Sequence, residues 1–174
     1  DELRRAAHER LPLTATFLSD RVPRAVSTGQ LGVYARYGAF QRRVRNWAQN
    51  HGGWDVGHHV SWGSVNHPVG LAGVIHPLVV GPAGGGQLLP PELVAWVDGR
   101  LSWNHLRNFS VRHPGINPSA RRIAGEADLV LVANRESGEM VRRLGAVNTE
   151  LMVPEGVRRA INPRVRMPAR PTIV

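Results

Sequence analysis

The chain has 174 residues, of which 42% are hydrophobic and 20% charged, and this composition is that of a globular domain large enough to bury a core. It contains no cysteine, which excludes disulfides, thiol catalysis and thiolate metal sites. All 22 basic residues are arginine, and the net charge of +9 favours anionic partners such as phosphates, acidic lipid headgroups or nucleic acid. Because the arginines are scattered as pairs along the chain, solvated helix faces are the alternative explanation of this charge.

Apolar residues recur in patterns that predict alternating strands and helices. Between Gln30 and Asn50 they recur every three or four positions, which indicates an amphipathic helix closed by His51-Gly52-Gly53. Short apolar runs predict five strands, at 13–18, 54–60, 77–80, 127–133 and 150–153. Further helices are predicted at 66–71, after Pro90, at 118–126 and at 137–144, whereas residues 101–119 are expected to be irregular. This alternation predicts an α/β fold, doubly wound around a mainly parallel, Rossmann-like sheet.

The predicted strand near residue 60 ends in two adjacent imidazoles, His58 and His59. Successive strand residues point to opposite faces, so we do not expect the pair to chelate one metal ion. We expect one of the two to face a cleft at the carboxyl end of the sheet and to hydrogen-bond a ligand hydroxyl or a phosphate. The alternative is that both are structural histidines with hydrogen-bond partners inside the protein.

The next predicted strand breaks into the run Gly81-Pro82-Ala83-Gly84-Gly85-Gly86-Gln87, and loops at this end of parallel strands form ligand crevices. The run is not a nucleotide P-loop, because the Gly-Lys-Ser/Thr signature is absent and the chain has no lysine. A tight turn with positive φ angles is one explanation of the glycines. Three in succession favour instead the close approach of a ligand to Gly84, Gly85 and Gly86. Gln87 follows them as a candidate hydrogen-bond partner for a ligand hydroxyl.

Two polar residues, Asn134 and Arg135, follow the strand predicted at 127–133 at its carboxyl end. Arg135 is a candidate contact for a phosphate, with an exposed arginine at a helix start as the alternative. Among the five tryptophans, Trp62 lies beside the two histidines in sequence and is the candidate for stacking on a ligand ring, which the family resemblance given next makes a sugar.

The order of these motifs resembles the amino-terminal domain of the family 4 retaining glycosyltransferases. The resemblance covers roughly residues 12–174. The segments that carry it are Asp55-x-x-His58-His59-Val60-Ser61-Trp62-Gly63-Ser64, the Gly81–Gln87 run with Pro90, Ala127–Asn134, Leu151–Val157 and Pro171–Val174. The family implies two Rossmann-like domains with the catalytic cleft between them. The amino half binds the acceptor, the carboxyl half binds the nucleotide-sugar donor, and transfer retains the anomeric configuration.

The resemblance implies that residues 1–157 form part of an acceptor-side domain, and that residues 158–174 are a linker and the first strand of a second domain. It implies a parent enzyme of the hexosyltransferase type, with the fragment itself inactive. Glu155 and Gly156 are expected at the interdomain cleft, and no residue is assigned as catalytic. The nucleotide sugar is expected as co-substrate, without a metal or other cofactor, and a sugar, lipid or small molecule as acceptor. The expected location is the cytoplasm, with peripheral contact at the inner membrane face through an arginine-rich helix face near residues 36–45.

A non-enzymatic basic module that binds anions or nucleic acid is the rival function. It predicts arginines gathered on one surface and a steep dependence of binding on salt concentration. The sequence has no recognised nucleic-acid motif and no basic-aromatic repeat, so nucleic acid is the less favoured partner.

Overall fold

A computed structural model describes residues 29–93 and 103–152, together with residues 16, 18, 22 and 23. The helices are α1 (Gly29–Asn50), α2 (Trp103–Arg112), α3 (Pro118–Glu126) and α4 (Arg135–Arg143). The strands are β1 (Gly57–His59), β2 (Leu78–Ala83), β3 (Leu129–Val132) and β4 (Thr149–Leu151). Short 3-10 turns lie at Ser61–Gly63 and Pro114–Ile116, and residues 91–93 are helical.

The four strands form one all-parallel sheet in the order β1-β2-β3-β4. The sheet is flanked by helices, which confirms the predicted α/β class and is consistent with a Rossmann-like fold. Parallel strands need crossover connections; helices lie in those between β2 and β3 and between β3 and β4, whereas a 3-10 turn and further turns join β1 to β2. All four strands therefore end at the same edge of the sheet, which is where parallel folds place ligand sites.

One face of the sheet forms the main hydrophobic core. Alternate strand residues point to this face, so every second side chain of β2 and β3 is buried there. The members contributed by these two strands are Leu78, Val80, Ala83, Val130 and Val132. Ile123 of α3 and Met140 and Val141 of α4 pack against them. The apolar periodicity of these two helices thus matches the face that each one buries.

Helix α1 docks on the connection between β1 and β2 through polar contacts. The amide of Gly70 donates to Oε1 of the buried Gln41 at 2.7 Å, and Nη1 of Arg45 donates to the carbonyl of Ala72 at 2.8 Å. A Cβ on Gly70 would overlap the carbonyl oxygen of Gln41, so glycine is required for this approach. The helix is thereby held beside β1, with Tyr37 reaching the strand.

Asp128 joins the amino ends of β2 and β3. Its Oδ2 accepts a hydrogen bond from the amide of Leu78 at 2.6 Å and lies 3.1 Å from Nδ1 of His76. The Leu78 amide, followed by the His76 hydrogen bond, holds the pKa of the Asp128 carboxyl below its ordinary value. This contact lies at the edge opposite the strand ends that form the site.

Three predictions about local structure are wrong. Residues 66–71 form turns and not a helix. Residues 103–112, within the segment expected to be irregular, form α2. The strand expected to stop at Val80 continues through Gly81 and Pro82 to Ala83, because a break in the register between β2 and β3 accommodates the two residues as a bulge.

The other predicted elements have mixed outcomes. Helices at 30–50 and 118–126 are confirmed, and the helix expected at 137–144 begins two residues earlier, at Arg135. Of the strand predicted at 13–18, only residues 16 and 18 are described, and neither is in a strand. The linker and strand predicted at 158–174 lie outside the described residues.

Candidate functional site at the carboxyl ends of the strands

The segment that follows β2 extends the parallel sheet beyond the regular strands. Gly84 donates its amide to the carbonyl of Gly63 at 2.6 Å, and its own carbonyl accepts from the amide of Val65 at 3.1 Å. This pairing joins the residues after β1 to those after β2. These hydrogen bonds therefore hold the start of the glycine run at the carboxyl edge of the sheet.

Gly85 and Gly86 allow this segment to approach neighbouring protein groups closely. Gly85 has a φ of +100°, and a Cβ on it would lie 2.6 Å from Oγ of Ser64. A Cβ on Gly86 would lie 2.5 Å from Cα of Ser137, in the first turn of α4. Gly86 also donates its amide to Oγ of Ser137 at 3.0 Å. The amides of Gly84 and Gly86 thus have acceptors inside the protein, and the glycines are explained by packing without a bound anion.

Two asparagines connect the glycine run to α3. Asn66 donates from Nδ2 to the carbonyl of Gly85 at 2.9 Å. Asn117 donates from Nδ2 to Oδ1 of Asn66 at 3.1 Å, while its own Oδ1 accepts from the amides of Ser119 and Ala120 as the N-cap of α3. The amide side chains are therefore held in place, with their remaining hydrogen-bonding capacity available at the cleft surface.

A cleft of about 400 Å³ opens beside these asparagines, between α1 and α2. We call it the aromatic cleft. Its polar and aromatic lining consists of Tyr34, Ser64, Asn66, His67, Arg107, Ser110 and Asn117. Gly85 contributes the backbone between them, and Leu31 and Leu106 form an apolar rim. Hydroxyl, amide and ring groups around one concave surface are suited to a polyhydroxylated ligand.

Two rings that line the aromatic cleft, Tyr34 and His67, belong to a cluster of four rings that we call the aromatic wall, whereas its other members, Tyr37 and the predicted stacking residue Trp62, do not line the cleft. Trp62 stacks on Tyr37 with ring centroids 4.4 Å apart and an interplanar angle of 16°. His67 lies edge-on to Trp62 at 5.0 Å and 5.3 Å from Tyr34. Trp62 has a φ of 57°, an uncommon conformation for a bulky residue, within the Ser61–Gly63 turn. Partial burial lowers the pKa of the His67 imidazole below its ordinary value of 6.5, which favours its neutral form.

A second cleft, of about 700 Å³, lies on the other side of the glycine run, between α2 and α4. We call it the charged cleft. Its charged lining consists of Arg107, Arg112, Glu136, Glu139 and Arg143, with Gln87 at the end of the glycine run. Arg107 lines both clefts.

Asn108 fixes α2 against the wall of the charged cleft. Oδ1 of this buried residue accepts from the amide of Leu89 at 3.0 Å, and Nδ2 donates to the carbonyl of Leu89 at 2.8 Å. Both polar groups of one backbone residue are therefore satisfied by one side chain, which sets the distance between α2 and the segment after the glycine run.

The two predicted histidines lie on opposite faces of β1, as the strand geometry requires. His58 is exposed and donates from Nε2 to the carbonyl of Gly81 at 2.9 Å. His59 is buried, with Nε2 3.3 Å from the hydroxyl of Tyr37. Neither residue lines the two clefts. Both have the internal partners that the structural interpretation requires.

The remaining predicted residues are divided between the clefts and the start of α4. Gly85 lines the aromatic cleft, whereas Gly86 and the exposed Gln87 line the charged cleft. Asn134 is the N-cap of α4 and accepts from the amide of Ser137 at 2.9 Å, and Arg135 is exposed at the first position of that helix. Glu155 and Gly156 lie outside the described residues.

Most residues that line the clefts were not predicted from the sequence, among them Asn66, Asn117 and the three that follow. Arg107 and Ser110 lie on α2, in a segment that was expected to be irregular. His67 lies in the turn that was expected to be helical. The pair Asn66-His67 before Pro68 was the available signal, because polar residues after a strand end lie at the ligand-binding edge.

Within residues 29–93 and 103–152, no group of three or more histidine, aspartate or glutamate side chains is arranged to hold a metal ion. None of the helices described is long and apolar enough to cross a bilayer. Comparison of the chain with protein-family models, with curated proteins and with solved structures gives no match.

Proposed function

We propose that this chain is the acceptor-binding side of a retaining glycosyltransferase, and that the aromatic cleft holds the sugar or other hydroxyl acceptor. The observation that supports this most directly is the position of that cleft at the carboxyl ends of parallel strands, with an aromatic wall and fixed amide side chains. The order of motifs that resembles the family 4 enzymes supports the same assignment.

Each side chain in the aromatic cleft has a role in this proposal. The face of Tyr34, which remains partly exposed, offers apolar contact to the C–H side of a sugar ring. Asn66 and Asn117 are held by their mutual hydrogen bond and offer their free lone pairs and N–H groups to hydroxyls. A neutral His67 both donates and accepts, which suits a hydroxyl that is a donor and an acceptor at once.

The donor nucleotide sugar has no assigned place in the described part of the chain. In the enzymes that the sequence resembles, the donor binds to a second domain. We therefore expect this chain by itself to bind an acceptor and not to transfer sugar.

Saturation-transfer NMR on the full chain tests this proposal. A panel of neutral sugars and polyols is compared with a panel of nucleotide sugars, and we expect signal transfer to members of the first panel only. Ser110→Trp, which fills the aromatic cleft, is expected to abolish the transfer, whereas Arg121→Trp on the exposed surface of α3 should leave it unchanged.

Two results would overturn the proposal. The first is tight binding of nucleotide sugars without any sugar or polyol binding. The second is salt-dependent binding of duplex or single-stranded nucleic acid that Ser110→Trp does not affect, since this is the behaviour of the rival basic module.

A further inference from the structure

Arg107 has no anionic partner in the part of the chain described. It is partly buried and lines both clefts. Within residues 29–93 and 103–152, no carboxylate oxygen lies within the 4.0 Å of an ion pair from its guanidinium, and it makes no hydrogen bond there. Glu136 and Glu139 line the charged cleft without pairing with it.

A guanidinium that lines a cleft without a partner keeps all its N–H groups for a ligand. Its planar fork of N–H groups matches the oxygens of a phosphate or a carboxylate, which it binds through two parallel hydrogen bonds. Of the side chains that line the aromatic cleft, Arg107 is the only one with a permanent charge. An anionic group in the aromatic cleft is therefore attracted to Arg107.

The backbone of α2 at Arg107 is also held in place. Its neighbour Asn108 is clamped to both backbone groups of Leu89, so the turn of α2 that presents Arg107 does not depend on a ligand for its placement. Gly85 lines the aromatic cleft and Gly86 lines the charged cleft, so the glycine run borders both clefts that Arg107 lines.

We propose that Arg107 is an anion-recognition residue, and that the acceptor is a sugar or polyol carrying a phosphate or carboxylate group. The hydroxylated ring occupies the aromatic cleft, and its oxyanion reaches Arg107 at the junction with the charged cleft. Arg112 and Arg143 add positive charge on the far side of this junction. The inference rests on the proposed function, since it assigns a class of acceptor to the same site.

The test compares the affinities of the full chain for glucose 6-phosphate, glucuronate, glucose and inorganic phosphate, measured by ligand-observed NMR titration. We expect glucose 6-phosphate or glucuronate to bind at least about tenfold more tightly than glucose. Which of the two gains more distinguishes phosphate from carboxylate recognition. Arg107→Gln should remove the gain, and Arg107→Lys should keep only part of it because the forked geometry is lost.

Arg121→Gln is the matched control, since Arg121 is exposed on α3 and lines neither cleft. It removes the same charge and should leave all four affinities unchanged. Equal affinities for glucose and both anionic sugars, or a gain that survives Arg107→Gln, would overturn the inference while glucose binding upholds the proposed function. Failure of all four probes to bind the wild-type chain would overturn both.

Discussion

Gly86 lies directly against the backbone of Ser137, 51 positions further along the chain, and donates its amide to the Ser137 hydroxyl at 3.0 Å. This contact fixes the glycine run to the first turn of α4. The glycine run therefore borders two clefts and is held there by contacts with the protein itself.

Replacing Gly86 with alanine is predicted to destabilise the protein by about 2 kcal/mol, because the new methyl group would overlap backbone atoms of Glu136 and Ser137. Gly125→Ala is the control. Gly125 lies in α3 with no atom near the position of a Cβ, and alanine should stabilise that helix by a few tenths of a kcal/mol to about 1 kcal/mol. Chemical denaturation of both variants measures the difference. Equal stabilities would contradict the packing role of Gly86.

Asn134 is predicted to act through the helix cap. Asn134→Ala should lower the free energy of unfolding by about 1 kcal/mol, whereas Asn134→Asp and Asn134→Ser should retain most of the stability, since both keep an acceptor for the Ser137 amide. Denaturation curves of the three variants provide the measurement. If all three lost the same stability, the contribution of Asn134 would not be that of a cap.

The clamp between Asn108 and Leu89 is predicted to hold α2 in position. Asn108→Ala leaves both backbone groups of Leu89 without this partner and should cost about 2 kcal/mol. Asn50→Ala, at the exposed end of α1, should have an effect within experimental error. Retention of wild-type stability in Asn108→Ala would show that α2 is held by other contacts.

Acid is predicted to destabilise the aromatic wall through His67. Its pKa is lower in the folded protein than in the unfolded chain because burial disfavours the charged ring. The unfolded state therefore binds more protons, so the contribution to stability is complete above the ordinary pKa of 6.5 and is lost as the pH falls below it. Asp128, whose pKa is also lowered, loses its contribution at lower pH, as the pH falls through its folded-state pKa.

The pH dependence is measured by denaturation of wild type and His67→Gln in parallel. The variant should show a shallower loss of stability just below the ordinary histidine pKa, and NMR titration of the wild-type ring should give a midpoint below 6.5. A midpoint at or above that value would contradict the burial of this imidazole.

The parallel sheet could be predicted because β2, β3 and the helices α3 and α4 have regular apolar patterns. Helix α2 could not be predicted, because two of its large apolar side chains face solvent while a polar side chain is buried. Leu106 and Phe109 are 58% and 51% exposed, whereas Asn108 is 9% exposed and forms the buried contact. Similarly, Gly81 and Pro82 are signals of a strand end, and only the bulge opposite β3 allows the strand to include them.

The site could be predicted in part, for a related reason. Residues that follow a strand directly, such as Gly85 and Gln87, are placed at the ligand edge by topology alone. Arg107 comes to that edge from a separate helix through long-range packing. A glycine is needed at position 86 because its backbone contacts Ser137, and this contact likewise depends on a segment remote in sequence.

Backbone-amide NMR mapping of the full chain, with a neutral sugar or polyol that binds it, tests the central claim most directly. The account predicts that the largest shifts occur at Asn66, Gly85, Ser110 and Asn117, around the aromatic cleft, and that Ser110→Trp removes them. Shifts concentrated instead around Trp54 and His76, at the opposite end of β2, or shifts that persist in Ser110→Trp, would contradict an acceptor site in this cleft.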